Sequence, residues 1–178
     1  MIKTDRTIWT LLERDDLKKI HQLQSIPKVE RFNTLGIPKD FEATKKMMTP
    51  LIDDNLAGKS LTFTVRNHDH EIIGLFAVKK FPSRYQAVEV WYKYFPQYWG
   101  HGFGTEMLKA FIKYGFEEMK LHRIEAGCAV DHIASIRVFE KAGLIREGRS
   151  RKTLPLTDGW SDHYTYAILE EDYFGTRN

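Results

Sequence analysis

At 178 residues the chain has the length of one domain built around one sizeable core. Hydrophobic residues make up 42% and charged residues 29%, and the longest apolar stretch, Ile72 to Val78, is strand-length. That stretch falls far short of the about 20 residues needed to span a bilayer, so no membrane partner is expected, and the single cysteine makes a cytoplasmic protein the expectation. Its formal net charge is +3, and Cys128 is its one cysteine, which excludes an internal disulfide and suits a reducing compartment.

The opening residues, Met1 to Arg6, lack the apolar segment of a signal peptide. Residues 7–12, rich in β-formers, predict a first strand. Residues 14–56 read as helical. Asp15 and Asp16 can start one helix, Pro27 and Pro38 divide the region, and Lys39 to Asn55 forms a separate helix. From residue 60 the period changes to two: Leu61, Phe63 and Val65 alternate with Thr62, Thr64 and Arg66. Asn67 to His70 make a turn, Glu71 to Phe81 a central strand and Gln86 to Phe95 a third strand, together an antiparallel meander.

A glycine-rich turn with Gly100, Gly102 and Gly104 follows, then a helix whose apolar stripe is Met107, Leu108, Phe111, Ile112, Phe116 and Met119. Ile124, Ala126, Cys128 and Val130 alternate as a strand. Ser135 to Ala142 is a short amphipathic helix closed by Gly143. Leu144 to Leu154 and His163 to Leu169 are the last two strands. The order is α+β, with one βαβ crossover around residues 88–130 and residues 1–178 as a single domain.

The glycine turn is the chemically informative feature. A helix start offers unpaired N–H groups and the positive end of the dipole, and glycines allow a phosphate to approach closely. There is no Gly-Lys-Ser/Thr, so this is no P-loop. The spacing G-x-G-x-G after three strands also departs from a dinucleotide fingerprint. A turn with no ligand is the plainer alternative.

The segment Gln97 to Glu106 resembles motif A of the GNAT acetyltransferases, in the Y-W-G-K-G-Y-A-T-E form of RimJ/RimL-like proteins (ribosomal-protein-alanine acetyltransferase type). Ala87 to Tyr92 is similar to the family's A-E-I-G-Y-W strand, Ala134 to Leu144 to A-S-I-R-V-x-E-K-x-G-F, and Asp158 to Tyr164 to its D-G-x-x-x-D segment. Asp5 to Ile8 is a weaker match to the opening E-R-L-x-L-R. These motifs span almost the whole chain in the family's order.

The resemblance implies the GNAT acyl-CoA N-acyltransferase fold: a mixed sheet of about seven strands flanked by helices and splayed at strands 4 and 5. It implies acetyl-CoA as co-substrate, with no metal, and an amine acceptor. Tyr92, Lys93 and Tyr94 would carry the pantetheine arm, and Trp99, Gly100, His101, Gly102, Phe103, Gly104 and Thr105 the pyrophosphate. His132, Ser135 and Phe139 would complete the cofactor contacts. The family commonly dimerises, so a homodimer is in view.

Acyl transfer to an amine needs a base, a polarised carbonyl, a protonated leaving thiolate and alignment. Glu89 stands where the resemblance places a glutamate and is the candidate base; the alternative is a surface or ion-paired glutamate. Ser135 is the candidate donor to the CoA sulfur, or else a helix-capping serine. Many relatives carry a tyrosine where this chain has Phe139, which has no proton to give. His132 replaces the usual asparagine and is expected near the site without a catalytic part.

His68 and His70 lack a third ligand at metal-site spacing, and Cys128 suits a buried strand face. The aromatic group Trp91, Tyr92, Tyr94, Phe95, Tyr98 and Trp99 suits the wall of an acyl-CoA cleft better than a base-stacking platform. The basic run Arg146 to Lys152 reads as a solvated strand rather than a nucleic-acid site. The competing function is a non-catalytic acyl-CoA-binding module.

Overall fold

The computed structural model describes residues 2–175. Strands β1 (Ile2–Lys3), β2 (Ile8–Leu11), β3 (Ser60–Arg66), β4 (Ile72–Lys80), β5 (Ala87–Tyr94), β6 (Arg123–Ala129), β7 (Ile145–Leu156) and β8 (Gly159–Leu169) form one eight-stranded sheet. Its spatial order is β1-β2-β3-β4-β5-β6-β8-β7. All neighbours are antiparallel except β5 and β6, which are parallel and joined through helix α4 (Phe103–Glu117). The expected seven strands become eight because β1, two residues long and too short to show periodicity, pairs with β2. The splay expected between strands 4 and 5 therefore lies between β5 and β6.

Helices α1 (Leu17–Gln24), α2 (Pro27–Glu30) and α3 (Phe41–Leu56) cover one face. Pro27 divides this region as expected: α1 ends at Gln24, and Pro27 starts α2 from its first turn, where its missing N–H costs nothing. Asp40 caps α3 by accepting from the Ala43 N–H at 2.7 Å. Pro50 lies inside α3, yet the helix persists because Thr44, Met48, Ile52 and Asn55 recur at four- and three-residue spacing on its buried face. Asn55 also exchanges two hydrogen bonds with the Thr62 backbone, at 2.6 and 2.9 Å, which pins α3 to β3.

Helices α4 and α5 (Ile133–Ala142) cover the other face, and the short α6 (Glu170–Gly175) follows β8. Two apolar clusters result. The larger joins Trp9, Phe76, Val88, Val90, Phe111, Ile124 and Tyr166 beneath α4 and α5. The smaller joins Leu17, Ile20, Met48, Ile52, Leu75 and Phe95 beneath α1 and α3. Among the described residues no helix is long and apolar enough to cross a membrane.

Candidate active site

Strands β5 and β6 pair only from Ala87 with Arg123 to Val90 with Ala126. Beyond that point β5 continues through Tyr94 against β4 alone, and β6 continues through Ala129 against β8 alone. The two strands separate, and the facing edge of β5 keeps backbone groups with no ladder partner. Such groups demand hydrogen bonds, and a chain with alternating amides laid into the gap would supply them.

The gap leads to the start of α4. Gly100 and Gly102 have φ of 77° and 83°, a region that side chains other than glycine rarely adopt. Open space surrounds Gly100, and only the Arg6 guanidinium approaches Gly102. Gly104 also has a packing part that the sequence does not announce. It lies within α4, where a Cβ would press on Val138 of α5 at 3.3 Å, so it permits close helix packing.

Arg6 braces the turn, a role the sequence reading missed. Its Nη1 donates to the His101 carbonyl at 2.8 Å, its Nε to Glu106 at 2.6 Å, and its guanidinium lies 4.2 Å from the centre of the Phe103 ring. Burial alone would raise the Glu106 carboxyl, but hydrogen bonds from Thr4 and Arg6 outweigh it and hold the group below its usual range. The Trp99 indole donates to the Tyr94 carbonyl at 2.8 Å, tying the turn to the end of β5. His101 is exposed, and Thr105 is half-buried in the first turn of α4.

Alternation along β5 divides its side chains between the two faces. Val88, Val90, Tyr92 and Tyr94 belong to the α4–α5 side. The Tyr92 and Tyr94 hydroxyls are buried without a hydrogen-bond partner, and burial pushes both well above the usual phenol range. Tyr92 comes close to the Ser135 side chain without closing a hydrogen bond of normal geometry, and its ring meets Phe139 edge-on at 6.3 Å. Ser135 is buried in the first turn of α5. His132 caps that helix: its Nδ1 accepts from the Ser135 N–H at 3.4 Å, and its ring stacks on Phe32 at 4.4 Å. Burial lowers the His132 pKa, which keeps the accepting nitrogen unprotonated. It stands beside Ser135, and its nitrogen is committed to the helix end.

Glu89 and Lys93 face the opposite way. Glu89 keeps 40% side-chain exposure and lies 3.6 Å from Lys79. It is thus half-exposed and ion-paired. The Lys93 side chain is turned away from the gap and meets Glu30 of α2 at 2.6 Å, with side-chain exposures of 6% and 2%. Burial lowers Lys93 and raises Glu30, each opposed by the partner's charge. This pair fastens α2 beside the gap. Any contact of Lys93 with a ligand in the gap therefore falls to its backbone.

The remaining singled-out groups lie apart from the gap or are structural. His68 Nε2 donates to the Asp5 carbonyl at 2.8 Å, and His70 holds a left-handed turn. Cys128 is buried, which pushes its thiol up to about 12. Arg149 of the basic run pairs with Asp162 at 2.7 Å, and Arg146 lies over Tyr164, so part of that run is spent on the β7–β8 hairpin. A half-open pocket of about 590 Å³ lies between this hairpin, the end of β6 and Arg31–Phe32, and four cationic side chains, Arg31, Arg149, Arg151 and Lys152, line it with Asp131, Asp158 and Asp162.

The sequence model of the acetyltransferase (GNAT) domain matches residues 6–145. The chain belongs to the GNAT family. It is 31% identical over 173 residues to an uncharacterized N-acetyltransferase, YnaD of Bacillus subtilis strain 168, covering 97% of this chain and 98% of that protein. The crystal structure of a GNAT-family acetyltransferase from Bacillus anthracis superposes with a TM-score of 0.83 at 33% identity, covering 96% of this chain and 98% of that one. A Vibrio cholerae spermidine N-acetyltransferase, solved with CoA and spermine, shares the fold with a TM-score of 0.85 at 22% identity, over 96% and 99% of the two chains. The protein is accordingly an acyl-CoA-dependent N-acetyltransferase. The features of this chain fit CoA: an unpaired strand edge for an amide-bearing arm, buried hydroxyls in want of partners, and a glycine turn at a helix start suited to a pyrophosphate.

Proposed function

We propose that this GNAT enzyme transfers the acetyl group of acetyl-CoA directly to the primary amine of a neutral or acidic acceptor, of which a protein N-terminus of the RimJ/RimL type is the leading case. The separation of β5 from β6 beside the Gly100–Gly102 turn is the observation that carries the donor side. The pantetheine arm would pair with the free edge near Tyr92 to Tyr94. The pyrophosphate would meet Trp99 to Thr105, where α4 presents its first N–H groups.

A thioester in that gap would meet Ser135 on the α4–α5 face and Glu89 on the other. Ser135 donates to the departing sulfur near the positive end of α5. The basic function on the amine side falls to the face that carries Glu89. The nitrogen adds to the thioester carbon, the carbon–sulfur bond breaks, the sulfur leaves as a thiol and the nitrogen sheds one proton.

The pocket beside Arg31 and the β7–β8 hairpin is lined by four cationic side chains and three carboxylates, with Arg149 paired to Asp162, and this excess of one positive charge disfavours a polycationic acceptor. The test is calorimetric titration with acetyl-CoA, followed by turnover with peptides bearing free N-termini, amino acids and spermidine. Micromolar binding with peptide turnover above spermidine turnover is the expected result. Absence of acetyl-CoA binding overturns the site, and a preference for spermidine overturns the acceptor class.

A further inference from the structure

Four residues of the uncovered half of the sheet meet at the mouth of the gap. Glu89 of β5 stands opposite Glu125 of β6 in the parallel register. Gly127, the first β6 residue beyond the last β5–β6 pair, points to the same face as Glu125. His163 of β8 pairs with Ala129, but its ring leans back diagonally and lies directly on Gly127. A Cβ at Gly127 would collide with the imidazole Nε2 and Cε1. The glycine therefore makes the space that lets His163 reach the gap. On this face the apolar cluster beneath α1 and α3 extends only as far as β5 and does not cover Gly127 or His163.

We infer that His163 is the group that takes the proton from the acceptor amine, with the Glu89 carboxylate across the gap holding the imidazolium that forms. This rests on the GNAT site proposed above and moves the proton by one residue, so that Glu89 becomes a positioning residue. The proton leaves nitrogen as the carbon–nitrogen bond forms, passes to the imidazole and goes on to solvent; the departing sulfur gains one from the Ser135 side. Half-burial lowers the His163 pKa from its ordinary value and the Glu89 charge partly restores it, so the ring is a neutral acceptor at pH 7. The other charged groups on this face are Glu125, held by Arg123 at 2.6 Å, and Lys79 beside Glu89. The β7 neighbour of His163, Ser150, carries no charge.

The test uses the full-length enzyme with the best peptide acceptor, comparing His163→Gln, His163→Ala and Glu89→Gln. The acceptor kcat/KM of H163Q is expected to fall about 10²-fold or more, the usual share of a general base, with acetyl-CoA affinity by calorimetry unchanged. The wild-type profile should have an acid limb below the ordinary histidine range that disappears in H163Q and moves to lower pH in E89Q. Added imidazole should restore part of the H163A rate, which a merely structural histidine would not permit. If H163Q stays within threefold of wild type and the limb vanishes only in E89Q, Glu89 alone is the base and this inference falls while the acetyltransferase site stands. A wild-type protein that fails to bind acetyl-CoA overturns both.

Discussion

Replacing Lys93 by methionine isolates the buried pair that anchors α2. Lys93 Nζ and Glu30 Oε1 lie 2.6 Å apart, and Glu30 Oε2 is buried without a further partner. Methionine keeps the stem volume and leaves Glu30 as an uncompensated buried carboxyl. Removing one member of such a pair costs about 3–5 kcal/mol. For a chain of this size that corresponds to a fall in Tm of roughly 6–20 °C. Replacing both, as Lys93→Met with Glu30→Leu, should recover most of the loss, because paired desolvation costs nearly as much as the pair returns.

The sign with pH follows from Glu30. Its pKa is already raised by burial and rises further once Lys93 is gone. A carboxyl raised in the folded state favours folding at low pH and opposes it as pH climbs through its folded pKa. The K93M deficit should therefore shrink at pH 5 and be full at pH 8. Thermal unfolding of the four members of the cycle at both pH values measures this. A K93M protein that melts with wild type at pH 8, or whose deficit grows at pH 5, refutes the reasoning.

Arg6→Ala removes the brace on the glycine turn while leaving the fold intact, since the Arg6–Glu106 pair is partly exposed. Acetyl-CoA affinity should weaken by about threefold to tenfold through lost preorganisation, and Arg6→Lys, lacking the fork that reaches both His101 and Glu106, should not restore it; an unchanged Kd counts against the brace. Tyr92→Phe deletes a buried hydroxyl that has no partner in the free protein. An unsatisfied buried group costs about 1–3 kcal/mol, so Y92F should melt several degrees higher than wild type without ligand and gain less from acetyl-CoA. A lower Tm for the unliganded variant would show that the hydroxyl is already satisfied.

Local chemistry made much of this protein legible. The amphipathic stripe of α4, the alternation in β6 and Gly143 at the end of α5 each need only neighbours within a few residues, and each appears where its pattern lies. The same holds for Gly100 and Gly102, whose positive φ is a property of the turn itself. The β3 strand also forms, but its Thr62 and Thr64 are buried because α3 packs on it. Even α3 was readable across Pro50, because four buried positions outweigh one lost donor.

Tertiary structure alone decided the rest. Arg6 reaches residues nearly a hundred positions away because β1 and α4 meet, and nothing in Asp5 to Ile8 announces that contact. Glu30 and Lys93 look like ordinary charges until α2 folds over β5. Gly104, which reads as part of a phosphate turn, also serves helix packing because Val138 lies above it. His163 reaches the gap because β8 inserts between β6 and β7 and Gly127 leaves room for the ring. Periodicity reports which face a residue occupies; strand order decides which residues share that face, and strand order is set by long-range pairing that no local pattern encodes.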